Sequence, residues 1–127
     1  MKQNIIYKIY MGRKCVYIGV TNGDLTATLR VHFFGEENVL DLERVSKVEY
    51  AVLPSLADCF VYKTYLINSL KPLYNKSDRA RDELSEHITL PELKFVEYNN
   101  PIMEKWKDLL KNGQLTLRKE DVNGTFI

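Results

Sequence analysis

The sequence predicts an α+β fold: a small three-stranded antiparallel sheet flanked by helices, with a mostly helical C-terminal extension. Three observations carry this. Residues 4–10 and 15–20 are short β-rich runs joined by Met11-Gly12-Arg13-Lys14, the pattern of an antiparallel hairpin. Val45–Leu53 is a third strand-like run, closed by Pro54. Two stretches of helical apolar spacing, at about 24–34 and from Ser55 to Leu70, follow the second and third runs. A chain of 127 residues supports one core, so residues 1–76 are expected to form the main domain and 77–127 an extension packed on it.

The elements follow in order. Ile5, Tyr7 and Ile9 alternate with Ile6, Lys8 and Tyr10, the period of a strand. Cys15 to Val20 is a compact apolar partner. Thr21-Asn22-Gly23-Asp24 has the composition of a turn that can also cap a helix, and Leu25, Leu29, His32 and Phe33 recur at helical spacing up to Gly35. Residues 36–42 are ambiguous, with a short helix as one reading. Ser55 caps the second long helix, whose apolar face reads Leu56, Cys59, Phe60, Leu66, Ile67 and Leu70; Lys71-Pro72 stops it. Residues 77–89 are polar and read as a charged helix or a linker. Leu93–Tyr98 suggests a strand. Pro101 starts a last helix with Met103, Trp106, Leu109 and Leu110 as its stripe and Gly113 as its stop. That stripe either packs on the sheet as core or forms a dimer or partner interface. Beyond it come a weak alternation at Leu115 and Leu117 and an Asn123-Gly124 turn.

Composition narrows function little. The net charge of +1 exerts no global pull on nucleic acid. Residues 1–77 hold ten Lys and Arg against seven Asp and Glu; residues 78–127 hold eight against ten. The N-terminal part is thus mildly basic and the extension mildly acidic. Cys15 and Cys59 sit inside apolar runs and read as two buried free thiols of a cytoplasmic protein. Two cysteines with His32 and His87 show no zinc-ligand spacing, so no structural metal is expected. The first residues lack the apolar core of a secretory leader, and no window has the length of a membrane span.

One residue breaks its pattern. Lys63 falls in the middle of the apolar face of the second helix. Either it lies at the margin and extends its head to solvent, or the face opens on a cleft there and position 63 belongs to a site.

"IIY" at 5–7, "YIG" at 17–19, His32 and "LINSLKPLYN" at 66–75 together resemble the GIY-YIG nuclease domain over residues 4 to about 76. That family includes phage homing endonucleases, the excision-repair endonuclease and some restriction enzymes. The resemblance implies a three-stranded antiparallel sheet with flanking helices. It also implies two tyrosines in a cleft near the attacking water, an arginine on the first helix that holds the phosphate, and a glutamate on a later helix that binds one divalent metal. Tyr7, Tyr17 and Gly19 match the motif residues, His32 matches the histidine or tyrosine of the first helix, and Asn75 matches a supporting asparagine. Ile5 stands where the first motif glycine belongs. Thr28 falls on the arginine position and Lys63 on the glutamate position.

Those two replacements disfavour hydrolysis. An ammonium repels a divalent cation and cannot ligate it while protonated, and threonine is no bidentate cationic clamp. Three functions follow from the resemblance. The first is a degenerate domain that binds DNA with catalysis lost or impaired and needs no cofactor. Its catalytic-site residues are Tyr7, Tyr17, His32 and Arg30, and its nucleic-acid contacts are Lys63, Thr28, Lys14 and Asn75. Lys8, Arg13, Lys47, Lys71 and Lys76 are further backbone contacts. The second is a protein-binding module of phage or mobile-element origin that inhibits a host defence nuclease. The third is an active, Mg-dependent endonuclease in which Arg30 reaches in and a carboxylate has migrated to Glu49, Asp58, Glu36 or Glu37. The oligomeric state is not legible.

Overall fold

A computed structural model describes residues 3–35, 40–76, 79, 80, 82–85 and 87–113. Its strands are β1 (Gln3–Met11), β2 (Lys14–Gly23), β3 (Val45–Leu53) and β4 (Val96–Glu97), and its helices are α1 (Leu25–Phe34), α2 (Leu56–Leu70) and α3 (Ile102–Lys111). A short 3-10 turn, Leu42–Arg44, leads into β3. The class is α+β. The sheet, however, has four strands in the order β2-β1-β3-β4, all antiparallel, where three were expected. The added strand is two residues long and exists because β3 offers it an edge. Glu97 and Val96 pair with Glu49 and Tyr50, and the Tyr98 amide donates to the Val48 carbonyl at 2.7 Å.

The boundaries have local causes. Gly12, at φ 61, lets the hairpin turn in two residues. Asp24 and Ser55 accept from the Thr26 and Asp58 amides at the starts of α1 and α2. Lys71 ends α2 in the left-handed region, and its amide donates to the Ile67 carbonyl. The described part of residues 77–89 adopts neither helix nor strand. The proposed features at Leu115, Leu117 and Asn123-Gly124 lie outside the described residues.

The sheet packs on both faces. Ile5, Tyr7 and Ile9 point toward α1 and α3 and meet Leu29, Phe33, Phe34, Met103 and Trp106. Ile6, Ile18 and Ala51 point the other way, toward Cys59 and Ile67 of α2. The stripe of α3 is therefore core: Trp106 is 4% exposed and meets Phe33 and Phe34 edge-on. The face of α2 differs from the expected one. Phe60 and Leu70 are about half exposed, while Leu56, Tyr62 and Leu66 pack toward the sheet.

A bulge in β2 sets the site. Ile9 pairs with Tyr17 and Tyr10 with Cys15, which leaves Val16 as the extra residue. Cys15 and Tyr17 would otherwise share a face. The bulge sends Cys15 to the α2 side and Tyr17 to the α1 side.

Candidate functional site

Tyr7 and Tyr17 stand on adjacent strands of the α1 face, and His32 descends on them from the last turn of α1. The three rings touch. Centroids are 6.2 Å apart for Tyr7–Tyr17, 5.7 Å for Tyr7–His32 and 4.7 Å for Tyr17–His32, and both histidine contacts are edge-on. The Tyr7 hydroxyl and His32 Nε2 share a hydrogen bond. Tyr7 is 1% exposed, and Tyr17 and His32 are half-buried. Burial and the neighbouring Tyr17 push the Tyr7 phenol far above its ordinary range, so it remains protonated. Burial also lowers the His32 pKa, and the nearby Lys63 ammonium lowers it further. Tyr7 therefore rests as a phenol and His32 as a neutral imidazole, a pair that can pass a proton or orient a polar ligand.

Gly19 makes this packing possible. It lies opposite Tyr7 in the β1–β2 ladder. A Cβ there would meet Tyr7 Cζ and the Tyr7 hydroxyl at 2.3 Å and Tyr17 Cε2 at 2.9 Å. The glycine of "YIG" is thus needed for room under the ring, which the sequence could not distinguish from a need for backbone freedom.

Lys63 lies one helical turn from both Cys59 and Ile67, which are 0% and 1% exposed. It is itself half-buried, and its charge acts on His32. Thr28 lies one turn before His32 on the same side of α1. Its hydroxyl is engaged with Thr21 Oγ1 at 2.9 Å and with the Asp24 carbonyl at 3.1 Å. Arg30 is two residues from each, so it leaves α1 on the side away from His32.

Asn75 corrects an expectation. Offered as a nucleic-acid contact, it is 0% exposed. Its Oδ1 accepts from the Ile18 amide at 2.8 Å and its Nδ2 donates to the Ile18 carbonyl at 3.0 Å. The Tyr74 amide donates to the Val16 carbonyl beside it. Asn75 thereby satisfies the outer edge of β2, and no surface is left for a ligand. Lys14 is exposed at the first position of β2.

The residues present do not suit the divalent metal of the GIY-YIG family. Lys63, expected at the metal-binding position, is a cation and cannot ligate the ion while protonated. Glu49 neighbours Tyr50 in β3 and so projects to the face opposite Tyr7, where it pairs with Lys47 at 3.3 Å. Asp58 is exposed in the first turn of α2. Glu36 and Glu37 lie outside the described residues. Among the described residues, no group of three or more His, Cys, Asp or Glu is arranged to hold an ion. No described helix is long and apolar enough to cross a membrane.

Comparison of the chain with protein-family models, curated proteins and solved structures gives no match.

Proposed function

We propose that this chain is a degenerate GIY-YIG-like domain that binds DNA and has given up metal-dependent cleavage. The observation that carries the reading is the cluster in which His32 touches two motif-matched tyrosines. Lys63 is half-buried, and its charge disfavours protonation of that histidine. In a nuclease the metal would draw the phosphate to this spot. Here a protonated amine supplies the attraction directly, without a ligand set or a bound ion. Tyr17 and His32 then orient the phosphate as hydrogen-bonding groups rather than activate water.

Anisotropy with duplex DNA over a range of salt, beside a cleavage assay in magnesium or manganese, tests it. The expected result is binding that weakens as salt rises, no strong cutting, and weaker binding for Lys63→Glu. Strong metal-dependent cutting that is lost on mutating Glu49 or Asp58 would overturn it.

One observation favours a protein partner instead. An apolar groove of about 420 Å³ runs between α2 and the segment after it, lined by Phe60, Val61, Tyr65, Leu84, Ile88 and Leu90. Phe60 and Val61 are more than half exposed and Ile88 nearly so. A wild type that ignores DNA even at low salt would move the function to this groove, as a protein-binding module of phage or mobile-element origin that inhibits a host defence nuclease.

A further inference from the structure

The cations expected as scattered backbone contacts do not all behave alike. Lys8 lies over the Phe95 ring, its Nζ 4.1 Å from the centroid. Lys47 pairs with Glu49 and lies over the Tyr10 ring. Both are occupied on the α2 side of the sheet. Arg13, Lys14, Lys71 and Lys76 instead gather around one cleft of about 620 Å³, and Arg79 joins them. Among the described residues, no carboxylate lines it. Lys71 pairs with Glu83. Among the described residues, Arg13, Lys14 and Lys76 form no salt bridge.

Three chain segments build this cleft: the β1–β2 turn, the end of α2, and the stretch that follows it. Asn75 pins the last segment to β2, so the positions of Lys76 and Lys14 are set by the same clasp. Arg79 is also fixed, because its Nη2 donates to the Lys71 and Pro72 carbonyls. Positive groups at the carboxyl end of α2 partly serve the helix dipole. One or two would suffice for that, and five converge here. The walls between them are apolar, with Val16, Leu70 and Leu73. The cleft is too large for a single phosphate ion, and its cations stand around apolar walls that can accept sugar surface. The net charge of the chain is only +1, yet five cations line this one cleft.

We infer that this cleft seats backbone phosphates of a DNA strand that continues along β2 past Tyr17. The inference rests on the DNA-binding reading above. Val16, a wall of the cleft, precedes Tyr17 in the chain, so the outer margin of β2 connects the two places.

The test compares wild type, the double variant Lys14→Glu/Lys76→Glu, and Lys63→Glu for binding a short duplex DNA over a salt series. An amide NMR titration of the wild type with the same duplex accompanies it. Lys14 and Lys76 are exposed, so the double variant should keep the wild-type fold, checked by its amide spectrum. The expected result is at least about tenfold weaker binding by the double variant and a salt slope shallower by roughly two, since each lost phosphate contact removes about 0.9. Amides of Lys14, Val16, Leu73 and Lys76 should shift on titration. A folded double variant that binds as wild type does, while Lys63→Glu is weakened, would overturn the cleft and leave the DNA-binding reading intact. A wild type that shows neither binding nor shifts would overturn both. Displacement of the duplex by inorganic pyrophosphate at equal phosphate concentration would mark a simple anion site and overturn the assignment to DNA.

Discussion

Gly19 and His32 carry the most specific consequences at the scale of single residues. Gly19→Ala places a methyl group within the Tyr7 ring, which cannot retreat because it is 1% exposed. The expected cost is about 1–3 kcal/mol, as for other overpacked sites, with the tyrosine ring signals displaced in the NMR spectrum. An alanine variant with wild-type stability and spectrum would show that the ring has another place to go. His32 predicts a pH dependence. Its folded pKa lies below the ordinary value of 6.5, so the unfolded chain takes up the proton more readily. The contribution is complete above pH 6.5 and is lost as pH falls toward the lowered folded value. Urea midpoints should drop on acidification through this window, and His32→Gln should flatten the drop. Lys63→Gln removes the positive neighbour and should raise the His32 pKa in a ring-proton titration.

At the scale of elements, most of the architecture was legible because local chemistry and tertiary packing agree. Alternation marked β1, the Val45 run marked β3, and Asp24 and Ser55 marked the starts of two helices. Other features depend on partners remote in sequence. The run Leu93–Tyr98 suggested a strand, but only Val96–Glu97 forms one, because only there does β3 offer an edge to pair with. The outward position of Phe60 was hidden because apolar residues run round most of α2, including Val61 and Tyr65 beside it on the same outward face. In the site, Tyr7, Tyr17 and His32 were readable from motif spacing, and Lys63 stood out as a polar break in an apolar stripe. The role of Asn75 was not, since an asparagine after Pro72-Leu73-Tyr74 looks the same whether it faces water or a strand. Its removal should be costly. Asn75→Ala orphans the Ile18 amide and carbonyl, at about 1–3 kcal/mol per unsatisfied group. Faster exchange of the Ile18 amide would accompany the loss, and unchanged exchange would mean that water replaces the side chain without cost.

At the scale of the whole molecule, α3 closes the core from the extension. Trp106→Ala should destabilise the fold by about 3–5 kcal/mol in denaturant unfolding, the range for large core truncations. Light scattering should show the same molecular mass for the wild type and any folded fraction of the variant. A variant that stays folded and merely loses an oligomer would contradict the core placement. The two margins of the sheet share a property with a different kind of consequence. Beside β2 the backbone is clasped at Val16 and Ile18 by Tyr74 and Asn75. On the far side, β4 is two residues long and sets Glu97 against Glu49. Among the described residues, neither margin offers a long, flat, uncharged ladder for a stranger's strand to extend. A chain rich in Ile, Val and Tyr is thereby guarded against growing into fibrils, and in Asn75→Ala that protection is weakened on the β2 side.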